Sequence, residues 1–380
     1  MAKILPALAL FFGAYLSSGA NAKSSDVNIE PSYDWAAALT LESIHNIDGG
    51  VKKGSRELAN LDLNVTINTA AAGWWQGGEW FIYGLGNAGK NPSDYTGDLQ
   101  GVSNIAAAEA VKIYEFWYQH SFADDRFKVL AGLHDYNSTF YSLASAGLFT
   151  HPSFGIGPDT SQVGPSIFST TAVALHLTLQ GEHQYLLAAS YDGIAGDPDN
   201  SHGTHIQFNE GDGLFNALEW GWLNDEGTKL AIGFWQHSAE VENPVDGLMS
   251  DNNSGLYVIG ETSLGQTLFN KHTHVFFQLG RADPHKNQLE YYAGTGIIFD
   301  QLWREGDNLG LAVAHARNGD SYLAQHGECE CAETAWELSY FLPLREHVAV
   351  QSSVYYLQNP SMDKTLNNAF AVGFRLYLEI

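Results

Sequence analysis

The chain is 380 residues long and carries 43 acidic against 18 basic residues, a formal net charge of −25. That balance excludes nucleic acid as a partner and excludes docking onto an anionic membrane surface. Aromatic residues make up 13% of the chain and glycines number 39, a mix suited to strands and tight turns.

The N-terminus reads as an export signal. Lys3 supplies the positive start, Ile4 to Leu16 an apolar run broken by Pro6, and Ala20-Asn21-Ala22 a small-x-small cleavage site. Residues 1–22 are expected to be removed, leaving one domain over 23–380. The apolar run is too short for a spanning helix, and no longer one follows. Mean hydropathy is −0.17, which fits a soluble protein and equally a membrane barrel, where only alternate residues meet lipid.

From residue 33 onward the pattern is period two. Alternation predicts strands near 33–45, 58–69, 78–87, 108–121, 126–136, 170–180, 184–193 and 215–223. It continues near 228–239, 254–264, 271–282, 288–299, 308–318, 333–342, 347–358 and 368–380. In Leu61–Asn68, Leu61, Leu63, Val65 and Ile67 oppose Asp62, Asn64, Thr66 and Asn68. In the last segment, Phe370, Val372, Phe374, Leu376, Leu378 and Ile380 oppose Ala371, Gly373, Arg375, Tyr377 and Glu379. The expected fold is all-β: a transmembrane antiparallel barrel of about sixteen strands, with the oily face outward. A soluble sandwich shows the same alternation with the oily face inward.

The longest irregular stretch runs from Ser138 to Ser169 and holds Phe140, Tyr141, Phe149, Phe154 and three prolines. A long connection in a compact domain is usually functional, and in a barrel the expected role is to fold inward as a constriction.

Other motifs fall away. Gly84-Leu-Gly-Asn-Ala-Gly89 matches a dinucleotide fingerprint, but Asn91-Pro92-Ser93-Asp94 follows where a phosphate-binding helix is needed. His202/His205 and His272/His274 lack a third ligand, so no metal is expected. Cys329 and Cys331 make no disulfide framework; a local bridge between them fits an oxidising envelope, although its geometry would be strained. No pair of carboxylates is singled out for hydrolysis, and neither enzyme activity nor a cofactor is expected.

Gly97–Ala107, Tyr114–Gln119, Gly132–Asn137, Ser153–Pro158 with Gly164–Phe168, Tyr191–Pro198 and Glu333–Tyr340 occur in collinear order. Together these blocks resemble the carbohydrate-selective porins of the OprB family, from roughly Gly54 to the C-terminus. Two departures stand out: Ser169 follows the Ser-Ile-Phe run where the family carries proline, and the chain ends in Ile380 rather than phenylalanine.

The resemblance implies a sixteen-stranded porin of a Gram-negative outer membrane. It would pass glucose-like sugars passively down their gradient, with outer-membrane lipid as its surroundings and homo-oligomerisation left open. Strand parity offers Glu115, Trp117, Gln119, Lys128, His134, Glu219, Trp235, Glu337, Arg375 and Glu379 as lumen residues. Asp135 and Asn137 sit where the fifth strand enters the inner loop. Charged and amide groups replace water at sugar hydroxyls while aromatic faces pack on the ring. The acidic balance predicts a preference for cations over anions. The alternatives are a general diffusion porin and an envelope β-protein that binds or hydrolyses carbohydrate.

Overall fold

The computed structural model describes residues 32–204, 206, 209, 211–266, 271–327 and 329–380. The signal expected over 1–22 lies outside them. All sixteen predicted strands are present. The first nine are β1 (Tyr33–Gly50), β2 (Gly54–Asn68), β3 (Gly78–Gly89), β4 (Ala110–Phe122), β5 (Phe127–His134), β6 (Ala172–Gln180), β7 (Gln184–Asp192), β8 (Leu214–Leu223) and β9 (Lys229–His237). After a small ribbon of β10 (Val241–Glu242) and β11 (Met249–Ser250) come β12 (Asn253–Gln266), β13 (His272–Ala282) and β14 (Leu289–Asp300). The last four are β15 (Asn308–Asn318), β16 (Ala332–Arg345), β17 (Val348–Gln358) and β18 (Asn367–Glu379).

Apart from the ribbon, each strand pairs antiparallel with its chain neighbours, and β1 closes on β18 through Leu39↔Leu378 and Glu42↔Arg375. Closure leaves no strand edge unpaired, which is what lets a sheet cross hydrocarbon. No helix among the described residues is long and apolar enough to cross a membrane. β1 and β2 pair as far as Asn46↔Gly54, past the point where alternation fades. There the outward positions turn polar, and His45 Nδ1 lies 2.8 Å from Ser55 Oγ.

Exposure decides which face is which. Leu61 and Leu63 are 41% and 49% exposed, whereas Asn60 and Asp62 are 3% and 9% exposed. The polar face is therefore interior and the apolar face exterior, the reverse of a soluble sandwich. Leu41, Ile232, Leu279 and Leu311 belong to the exposed outer band. Tyr33, Trp35, Trp74, Trp75, Trp220 and Trp303 ring one end of it, and Tyr291, Trp336, Tyr356 and Phe370 the other. Indole and phenol rings, apolar with a polar tip, suit the two lipid–water boundaries.

The long connections 90–109, 135–171, 193–213, 238–252 and 319–331 leave one end of the barrel. Short turns such as 123–126, 181–183 and 346–347 leave the other, beside Tyr33 and Glu379. In outer-membrane barrels the short turns are periplasmic and the long loops extracellular. Cys329 and Cys331, in the connection 319–331, are free thiols.

Candidate functional site

Two extracellular connections lie against the polar inner wall. The larger, 135–171, contains short helical turns at Tyr136–Ser138, Ser145–Leu148, Pro152–Phe154 and Pro158–Ser161. Such a segment exposes backbone N–H and C=O groups that need partners. Lumen side chains supply them. Glu219 on β8 accepts from Tyr141 N (2.9 Å) and from the hydroxyls of Tyr185 and Tyr257 (2.6 Å each). Glu261 on β12 accepts from the N–H groups of Ala144 (3.1 Å) and Ser145 (2.7 Å). Glu337 on β16 accepts from Thr150 N, Thr150 Oγ1 and His151 N at 2.8–2.9 Å. In the opposite sense, Gln278 Nε2, Tyr292 OH and Gln351 Nε2 donate to the carbonyls of Phe154, Ser153 and Leu148. Tyr136, Phe140, Tyr141, Phe149 and Phe154 pack beneath, each at most 2% exposed. Ser169 leaves the return to β6 intact, since Thr170 N donates to Ile167 O and Ala172 N to Ser166 Oγ.

The second inserted connection, 90–109, had no assigned role from sequence. Leu99 N and Gln100 N donate to Glu333 at 2.8 and 3.0 Å. Ser103 Oγ donates to Glu42, and Arg375 donates to Glu42 and to Asn104 Oδ1. Ser153 Oγ donates to Gln100 Oε1 at 3.1 Å, tying the two loops together. A cue was present: no charge occurs between Asp98 and Glu109, unusual for a water-exposed loop in so acidic a chain.

Between these loops and the wall of β1–β4, β17 and β18 there remains an open hollow whose free space, with the solvent at its mouth, is about 1050 Å³. Asn60, Asp62, Glu115, Asp135, Arg375 and Glu379 present its hydrogen-bonding groups. Tyr83, Tyr114, Phe149, Phe168 and Tyr377 present ring surface. A bulge builds part of it. The register passes from Tyr83↔Glu115 to Gly84↔Ile113, leaving Tyr114 unpaired between them. Tyr114 and Glu115 both turn inward, while Ile113 and Phe116 are each 47% exposed on the outer face. Tyr114 OH then donates to Asp135, and Asp135 N donates to Glu115 Oε1 at 2.6 Å. Tyr83 OH donates to Asp62 at 2.6 Å and Tyr377 OH to Gln351 at 2.6 Å. Burial pushes the Asp135 carboxyl up to about 6.

Of the residues expected from sequence, Glu115, Asp135, Arg375 and Glu379 border the hollow. Trp117 and Gln119 are buried on the inner face of β4, Trp117 stacking on Phe81 at 4.9 Å. Lys128 points inward on β5, half-buried near the periplasmic end. His134 is held by Tyr191 OH at 2.9 Å beside His176. Asn137 braces the inner loop by donating to Phe140 O and Gly155 O. Glu219, Trp235 and Glu337 face inward too, but the inner loop covers them and each is fully buried. Asp62, Tyr83, Tyr114, Gln351 and Tyr377 border the hollow without having been singled out from sequence. Parity alone would have found all but Tyr114, which only the bulge turns inward.

The family model for carbohydrate-selective porins of the OprB family matches residues 52–379. The chain belongs to the OprB family. It is accordingly a sugar-selective porin of a Gram-negative outer membrane, and both family and fold are those of a channel rather than an enzyme. The high-pH structure of Pseudomonas putida OprB matches it with a TM-score of 0.77 at 17% identity, over 92% of this chain and 94% of that one. The low-pH structure of the same protein gives a TM-score of 0.60 at 14% identity, over 92% and 93%. A mutant Rh. blastica porin gives 0.57 at 11% identity, over 92% of this chain and all of the other. No curated protein matches by sequence.

Proposed function

We propose that sugars cross through the hollow bounded by β1–β4, β17, β18 and the two inserted loops, with 135–171 as the constriction. The supporting observation is the pairing on one open surface of ring faces (Tyr83, Tyr114, Tyr377) with hydrogen-bonding groups (Asn60, Asp62, Glu115, Arg375). A hexose is an apolar disc edged with hydroxyls, so it needs both kinds of surface. Passage is by diffusion down a gradient and breaks no bond. Each contact must be weak enough to release the sugar to the next.

In this reading the expected lumen residues divide into three groups. Glu115, Asp135, Arg375 and Glu379 contact the solute. Trp117, Gln119, Lys128 and His134 shape the wall around β4 and β5. Asn137, Glu219, Trp235 and Glu337 hold the constriction in place. The test is swelling of proteoliposomes carrying the purified mature chain, in isosmotic glucose and in a size-matched zwitterionic amino acid. Faster entry of glucose supports the reading. Equal entry would make the hollow a general diffusion path. No entry through folded, inserted barrels would remove the hollow as a route.

A further inference from the structure

The charged groups of the hollow do not cancel. Asp62, Asp135 and Glu379 border it against the single guanidinium of Arg375. Arg375 is already committed: it pairs with the buried Glu42 and donates to Asn104. Of the inward lysines, Lys112 on β4 is half-buried two residues from Tyr114 but does not border the hollow, and the others are placed elsewhere. Lys229 donates to Ser142 O beneath the inner loop, 4.0 Å from Glu219, and Lys128 sits toward the periplasmic end of β5.

The groups that organise these carboxylates are neutral. Asp62 accepts from Tyr83 OH. Asp135 accepts from Tyr114 OH and the Asn137 N–H. Hydroxyl and amide donors orient a carboxylate without neutralising it, so the field of the acids reaches into the hollow. Low-dielectric walls focus that field along the open lane.

We propose that the lane sorts sugars by charge, admitting protonated amino sugars ahead of neutral hexoses and turning away uronic acids and other anionic sugars. This rests on the reading of the hollow as the sugar route. An amino sugar keeps the hexose ring that packs on Tyr83, Tyr114 and Tyr377, and replaces one hydroxyl with an ammonium that carries three donors. A uronic acid places a carboxylate against the same wall. In a water-like dielectric, one ionised carboxylate about 7 Å from a passing unit charge changes its local concentration about threefold. Several acids together separate a cationic from an anionic sugar of equal size by tenfold or more, on the same arithmetic.

The experiment measures entry of labelled glucose, glucosamine and glucuronate into proteoliposomes of the full mature chain near neutral pH, with reversal potentials in a KCl gradient. The expected order is glucosamine, then glucose, then glucuronate, with potassium preferred to chloride. Glu379→Gln and Asp62→Asn should each narrow the glucosamine-to-glucuronate ratio by about sevenfold. Thr40→Lys, on the same surface, should narrow it further. These ratios do not depend on how many barrels insert. Rapid glucose entry with equal entry of glucosamine and glucuronate would overturn charge sorting and leave the sugar route standing. Failure of glucose itself to enter would overturn the route.

Discussion

The two sides of the lumen are built from the same residue types and end in different states. On the side of β8, β12 and β16, the carboxylates of Glu219, Glu261 and Glu337 are capped by N–H groups of the inner loop. On the side of β2 and β18, Asp62 and Glu379 face the hollow, while Glu115 on β4 between them accepts the N–H of Asp135 at the loop's start. Alternation puts acids on the inner face of both. What each acid does depends on whether a connection folds over it: where one does, the acid is an anchor, and elsewhere it acts on what passes.

The sharpest way to break this contrast is to strip the anchored side. Glu219→Gln combined with Glu337→Gln weakens seven accepted hydrogen bonds. Bonds to a charged group contribute about 1.5–3 kcal/mol each. The loop should detach, single-channel conductance should rise several-fold, and discrimination among sugars should vanish. Unchanged conductance would mean that the loop does not depend on these acids.

Glu42→Gln tests the boundary between the two sides. It leaves Arg375 buried without its ion-pair partner, a change that typically costs about 3–5 kcal/mol. The unfolding temperature should fall, and the freed charge should lower the potassium preference read from reversal potentials. Retention of both values would show that Arg375 is neutralised by something other than Glu42.

Acidity separates the sides further. Within the inner loop, Asp159 accepts from Tyr141 OH at 3.1 Å and Thr160 Oγ1 at 2.9 Å, and burial pushes its carboxyl up to about 7 from 3.8. A carboxyl raised on folding binds more protons folded than unfolded between those values, so stability falls as pH rises from about 4 to about 7. Asp159→Asn should raise the unfolding temperature at about pH 8 and leave it nearly unchanged at about pH 4. A gain independent of pH would assign the effect to packing. On the open side, Asp135 should lose its charge as pH drops through about 6, and the preference for cations over anions should shrink by about sevenfold with it. A preference flat from about pH 7.5 to about pH 5 would take Asp135 out of the selectivity.

The smallest expected change comes from Tyr377→Leu, which removes a ring from the hollow and a hydroxyl bonded to Gln351. Loss of about 1 kcal/mol of ring contact should slow glucose entry several-fold and barely move KCl conductance. A parallel fall in both would point to a narrowed or disordered lane instead.

Much of the barrel was legible because the membrane imposes a simple rule on each strand. Leu61 against Asp62, or Phe374 against Arg375, reveals an oily and a wet face from spacing alone, and closure by β1 and β18 follows from the need to pair every edge. The site was legible only in part. Glu115, Arg375 and Glu379 follow from parity, but Tyr114 does not, because the bulge places two adjacent residues on one face. Glu219 and Glu337 were found as inward residues, while their enclosure beneath the loop depends on where Tyr141, Thr150 and His151 come to rest.

The sequence by itself therefore determined the strands, their faces and the barrel they close into, since a two-residue period and an apolar exterior are local properties of each segment. Only the tertiary structure decided which acids anchor a loop and which border the opening. Those states arise from contacts such as Gln100 with Glu333 and Thr150 with Glu337, between residues far apart in the chain, and no local period encodes them.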